Sequence, residues 1–322
     1  MNYKVIHKKN ASSLYFLSGR IIFSDSNRTN TFIDDISVDK YLSILKIIEF
    51  KSNLFYFEEN KIFKIEDCKL NLFLKFEKRI DRIMLMNDNA YLCCQKISRK
   101  EYNISLHREN VLKWFKVTTD SYKKLNDNFF MVSERFDETK FSIHNLRNEV
   151  LWHYNLPEGF KIFGSVQVLD DVLFFRITDS NLDHSKNIGL KLTTGEVLWE
   201  IENTMYFQID YKNKLLRGYS GAYYQVVNPF MGTLLINNYL KENWNNGIHP
   251  SSHDNTITED KLWFVSGSGV NTKFGAIDLV SSEIDFIQDF PLENGEQLDK
   301  PVYHQGKLYL RATNNVLYVL VK

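Results

Sequence analysis

The sequence predicts an all-β fold: a single β-propeller of four-stranded antiparallel blades, eight of them, or seven if the divergent first unit is absorbed into ring closure. Three observations predict it. Short polar turns followed by apolar bursts recur along the chain, 36 to 47 residues apart. The bursts alternate or run apolar for four to six residues, which is a strand pattern, not the 3.6-residue period of a helix. Trp114, Trp152 and Trp199 recur at a similar distance after successive bursts. Self-similarity at forty-odd residues with several strands per unit marks a propeller rather than a sandwich.

The units follow in order. ASS precedes a burst at Leu14, KSN one at Leu54, and NDN precedes both Ala90 and Phe129. LDD, KNK, EDK and QGK precede Val172, Leu215, Leu262 and Leu308. Asn, Asp and Gly tolerate the positive φ of tight hairpin turns, so each is a hairpin signal with a mechanism. Ala90, Phe129, Val172, Leu215, Leu262 and Leu308 are expected at equivalent places in their blades. In the fifth unit, GLKLTTGEVLWE (Gly189 to Glu200) reads as a third strand, a Thr-Thr-Gly turn and a fourth strand ending in Trp199. Trp152 and Trp114 are expected to end the fourth strands of the two preceding units, buried against neighbouring blades. Residues 301–322 supply three strands, and YKVIH near the N-terminus supplies the fourth, closing the ring and removing sheet edges. No composition shift or Pro/Ser linker divides the chain, so residues 1–322 are expected to form one domain.

IGLKLTTGEVLWE resembles the repeat of the quinoprotein-like (PQQ-type) β-propeller family, with weaker copies in FGAIDLVSSEIDF, VVNPFMGTLLI and VLYVLVK. The resemblance implies a propeller. In that family's redox enzymes it also implies a quinone under a vicinal disulfide, for which Cys93 and Cys94 are the matching pair. The chain departs from those enzymes in three ways. The pair sits inside AYLCCQK, a strand, where neighbouring side chains point to opposite faces. The N-terminus has no apolar export segment, and the spaced-glycine tryptophan docking motif is not found. Free cysteines and no cofactor are therefore expected.

A hydrophobic fraction of 43% with 24 Phe, 17 Tyr and 5 Trp supports a sizeable core. Net charge is zero, so no global field recruits nucleic acid or anionic lipid. No apolar run approaches the roughly 18 residues of a membrane span. Three cysteines do not make a disulfide framework. These features predict a soluble, cytoplasmic protein, monomeric on its own, binding neither nucleic acid nor membrane.

Nothing assembles a catalytic signature. His249 and His253 in IHPSSHDN have ligand-like spacing, but Pro250 and two serines make a loop, so no metal is expected. SGSGV lacks the strand–loop–helix context of a phosphate cradle, and GYSG lies inside a hairpin. Attention falls instead on three long connections, 178–187, 240–255 and 288–300, which a propeller places on one face. Trp244 is the apolar anchor there, unless it folds back between blades. His184, His249 and the nearby Tyr303 are amphipathic contacts, His253 belongs to the same partner-binding set, and Asp183, Glu293, Glu296 and Asp299 form an acidic fringe that calls for a protein partner with a basic patch. The expected function is a non-enzymatic protein-binding scaffold, more narrowly an immunity protein that neutralises a toxin. The alternative is an enzyme, or a carbohydrate- or small-ligand-binding propeller, using the central channel.

Overall fold

The computed structural model describes residues 3–17, 19–38, 41–77, 79–87, 90–99, 101–109, 111–134, 139–181 and 184–322. Eight four-stranded antiparallel sheets follow one another around a ring, so the blade number is eight. Blades 1 to 7 span 13–37, 47–75, 82–118, 121–155, 160–202, 208–239 and 256–289. Blade 8 takes three strands from 302–321 and its outer strand from Lys4–Asn10, which pairs antiparallel from Lys4↔Val321 to Asn10↔Val316. Helix is confined, among the described residues, to Lys241–Asn245 and three short 3-10 turns. No helix there is long and apolar enough to cross a membrane.

First strands of neighbouring blades touch one another, as Gln208–Asp210 and Thr256–Thr258 do, which places them at the axis. Burial places the core between blades. Eight buried clusters occupy the blade–blade contacts, such as Leu216 with Phe174 and Trp199 between blades 5 and 6. Each second strand therefore presents apolar side chains to both neighbours, and the bursts read as continuous apolar runs for that reason.

The equivalent positions are shifted from the expected ones. Tyr91, Phe130, Leu173, Leu216, Leu262 and Leu308 face the preceding blade, as do Ile21 and Leu54. Ala90, Phe129, Val172 and Leu215 each lie one residue before the inward-facing position, because the end of a turn does not fix which face the next side chain takes. Leu14 lies on the first strand of its blade, Ser13–Leu17, whereas the equivalent burst is Arg20–Ser24.

The tryptophans interlock blades. Trp199 sits inside the outer strand Val197–Glu202, not at its end, and its indole N–H donates to Pro229 O of blade 6 at 2.6 Å. Trp152 donates to Leu192 O of blade 5 at 2.8 Å, and Trp114 to Leu146 O of blade 4 at 3.0 Å. Trp152 and Trp199 are buried and Trp114 half-buried. Gly195 (φ 74°) and Gly232 (φ 65°) turn directly over these rings: a Cβ would come within 2.6 Å of Trp152 and 2.4 Å of Trp199. Only glycine meets both demands. Tryptophan and glycine thus interlock across blades 4 to 6. Their spacing was hidden because ring and glycine belong to different repeats.

A second linkage runs around the axis. Arg82 donates to Tyr122 O (3.2 Å), Lys123 to Val166 O (3.0 Å), Gln167 to Phe207 O (3.0 Å) and Gln208 to Ser252 O (3.3 Å). Each bond satisfies a carbonyl at the start of the next blade. Cys93 is buried towards blade 2, while Cys94 packs towards blade 4. Burial raises the Cys93 thiol well above its ordinary range, which disfavours the thiolate that disulfide chemistry needs. In native protein, iodoacetamide is expected to spare Cys93 until denaturant is added; rapid native modification, read by mass spectrometry, would contradict its placement.

Three histidines give a pH prediction. His107, His144 and His253 all have their pKa lowered, in each case chiefly by burial. His144 fits one neutral tautomer, its Nδ1 3.2 Å from Asn148 Oδ1 and its Nε2 2.9 Å from the Ser142 hydroxyl. A histidine with a depressed folded pKa lets the unfolded chain take up protons first. Stability should therefore be full above the ordinary value of about 6.5 and fall as pH drops below it. Urea midpoints should decline between about pH 7 and 5, and His144→Asn should flatten the decline. A constant or rising midpoint would be inconsistent with neutral buried imidazoles.

Candidate functional site at the channel mouth

Strands alternate in direction, so connections after the fourth strand emerge at the same end as turns between second and third strands. That rule brings 240–255, 288–300 and the turn after Val172–Asp179 to one face. The third of these is shorter than the expected 178–187: strands reach Asp179 and resume at Ser185, because the strand alternation persists at both ends of that stretch.

Trp244 is 41% exposed, in the short helix Lys241–Asn245. One face of its ring meets His249, with centroids 3.9 Å apart, and approaches Gly221 of the blade 6 hairpin. It is half folded back and half presented. His253 takes a different course, stacked on Tyr206 at 4.4 Å and edge-on to Phe163 at 5.0 Å. The two histidines thus have separate aromatic partners, and no three His, Cys, Asp or Glu side chains among the described residues gather to hold a metal. His184 is exposed and lies 2.9 Å from Asp179 Oδ2. Asp183 lies outside the described residues.

The acidic fringe is only partly free. Glu296 accepts from Thr313 Oγ1 at 2.5 Å, and Asp299 pairs with Arg311. Glu293 is exposed. Tyr303, expected beside the fringe, stacks instead on Trp263 at 5.0 Å.

Three inner-strand starts converge beneath this rim. Phe163 belongs to blade 5, Tyr206 leads into blade 6, and His253 leads into blade 7. Arg176, paired in register with Phe163, carries its guanidinium 5.3 Å over that ring and donates to Ser185 Oγ at 3.0 Å. Lys300 reaches from the link into blade 8 to Gln208 of blade 6, at 3.5 Å. That contact passes over blade 7 and so crosses the channel mouth. Lys300 is open to solvent yet surrounded by protein, and the crowding lowers its pKa; burial lowers that of Arg176 as well. Arg176 Nε and His253 Nε2 are both shut off from solvent without a hydrogen-bond partner among the described residues.

No protein-family model matches the chain. No curated protein sequence matches it. Solved structures do resemble it. The computationally designed Ika8 protein has a TM-score of 0.60 at 9% identity over 98% of this chain and 97% of its own. Chaetomium thermophilum Sqt1, solved bound to the N-terminus of a ribosomal protein, has a TM-score of 0.58 at 9% identity over 98% of each chain. The Dos1 propeller has a TM-score of 0.56 at 11% identity, covering 99% of this chain and 94% of its own. These likenesses show the β-propeller fold. They do not extend to the quinoprotein-like repeat family.

An exposed indole and an exposed glutamate stand on the rim, and an aromatic stack lines the mouth with two cations, Arg176 and Lys300, the second of which feels the nearby Asp254 carboxylate. Sequence reasoning reached Trp244, His249 and His253 through loop length. It missed Arg176, Lys300, Tyr206 and Phe163, since a strand arginine and a loop-end lysine carry no local signal. Only ring geometry brings them together.

Proposed function

We propose that the protein is a non-enzymatic scaffold that binds a protein partner through the face carrying 240–255 and 288–300. The observation behind this reading is the half-presented Trp244 on a rigid eight-bladed frame, beside a mouth whose polar atoms Arg176 Nε and His253 Nε2 have no hydrogen-bond partner among the described residues. Rigid frames with aromatic anchors on connecting loops suit interfaces. A solved propeller of the same fold holds the N-terminus of a ribosomal protein, which illustrates the mode. A partner meeting Glu293 carries a basic patch, and its tip entering the mouth carries an acceptor for Arg176 and Lys300. Neutralising a toxin is the narrower form of this reading, with a toxin's basic surface as the patch.

Trp244→Ala is expected to weaken partner binding by about 2 kcal/mol, roughly thirtyfold, while leaving the fold intact. Quantitative pull-downs from the source cells, comparing wild type with Trp244→Ala, should lose one enriched protein. An unchanged set would remove this face from consideration. The unpartnered atoms in the mouth favour a second reading, a small anionic or sugar ligand in the channel. A thermal-shift screen separates the two: stabilisation by such a ligand, abolished by Arg176→Gln, would support the second.

A further inference from the structure

On the opposite face, between blades 3 and 4, lies a cavity of about 320 Å³. Leu106, Trp114 and Leu146 form its apolar floor, and Arg108, Lys113 and Arg147 stand around it. The turn after Tyr102–Arg108 sets Arg108 opposite Val111, so Arg108 and Lys113 flank the same opening. Arg147 occupies the tip of the next blade's turn, where Asn145 Oδ1 accepts from its backbone N–H at 2.8 Å. Trp114 is fixed by its bond to Leu146 O, so the floor is rigid. Among the described residues no carboxylate lines this cavity and none of the three cations has an ion pair, although Glu109, next to Arg108, lines the adjoining cavity. A second cavity of about 440 Å³ adjoins it at Ala90.

The outer strand Val111–Thr118 continues the groove. It is the free edge of blade 3, eight residues long, with Phe115 66% exposed and Val111, Leu112 and Val117 about half exposed. A long, apolar, unpaired edge offers backbone donors and acceptors to an extended chain. Three uncompensated cations beside it select negative charge.

We propose that the groove between blades 3 and 4, with the adjoining edge Val111–Thr118, binds an acidic polypeptide segment bearing apolar side chains. The cations attract the segment and reject basic ones. The Leu106–Trp114–Leu146 floor takes an apolar side chain, and the edge strand pairs with the backbone. This surface is distinct from the channel mouth and does not depend on the reading given for it.

A fluorescein-labelled 12-residue peptide of Asp and Glu with three interspersed Leu or Phe is the probe, followed by anisotropy on the full chain. Saturable binding is expected, weakening as salt rises. The triple variant Arg108→Glu, Lys113→Glu, Arg147→Glu should lose at least about tenfold in affinity, with a wild-type melting temperature because all three side chains lie at the surface. Should that variant melt early, Arg147→Glu alone serves, with a smaller loss expected. An all-glutamate peptide or a single-stranded oligonucleotide should bind at least about tenfold more weakly, since neither fills the apolar floor. No binding at about 1 mM, binding indifferent to charge reversal, or equal binding of either apolar-free polyanion would overturn the proposal.

Discussion

Alanine at Trp199 is expected to destabilise the protein by about 3–5 kcal/mol, the range for emptying a packed aromatic site. The ring lies between Gly189 of its own blade and Gly232 of the next, and its N–H is bonded to Pro229 O at 2.6 Å. Two contributions can be told apart. Trp199→Phe keeps most of the apolar contact and loses the hydrogen bond, so about 0.5–1.5 kcal/mol is expected for the bond, plus a smaller packing loss. Gly232→Ala approaches the same interlock from the other side: positive φ and a Cβ 2.4 Å from Trp199 both oppose it. A denaturant melt in which Trp199→Ala costs under about 1 kcal/mol would mean that the blades are not held this way.

Removing residues 1–10 is expected to have the larger effect, loss of cooperative folding. The segment supplies the outer strand of blade 8 and also Tyr3, which reaches blade 7. Tyr3 N–H donates to Gln288 Oε1 at 2.7 Å, and Gln288 Nε2 returns a bond to Tyr3 O at 2.8 Å. Its ring packs 5.4 Å from Phe286 and 5.9 Å from Trp263. The aromatic alone is worth about 3–5 kcal/mol and the two bonds about 1 kcal/mol each. Against a typical total of about 5–15 kcal/mol, that loss is disabling before the exposed edge of Val316–Val321 is counted. A truncated chain should aggregate or melt without a sharp transition. Because Lys4 pairs with Val321, appending residues 3–10 after Lys322 through a short turn should restore the melt. A truncated chain with a wild-type melt would show that closure contributes little.

The sequence makes the architecture legible because propeller physics is local. Each hairpin needs turn residues of positive φ, and each second strand needs apolar side chains on both faces, so eight bursts announce eight blades. Closure is legible too, since three strands at one end and a stray strand at the other have one economical arrangement. Register is less so. A burst bounded by polar residues does not say which residue faces which neighbour, and Ala90 and Val172 are apolar whichever way they point. Arg217 in the sixth burst has no visible cause until the fold buries it against Asp210 at 2.8 Å, with Tyr224 as its second partner. The same holds for the candidate site. Trp244 stands out as an aromatic in a polar loop, whereas Arg176, Tyr206 and Lys300 come from blade 5 and the links into blades 6 and 8, and meet His253 only at the axis.

The claim that function resides on the long-loop face is tested most directly by site-specific photo-crosslinking in the source cells. A crosslinking amino acid replaces Trp244 in one variant and Asn213, on the opposite face, in another. The account predicts one dominant protein adduct from position 244 and none of that mass from position 213. The same adduct from 213, with nothing captured at 244, would contradict it.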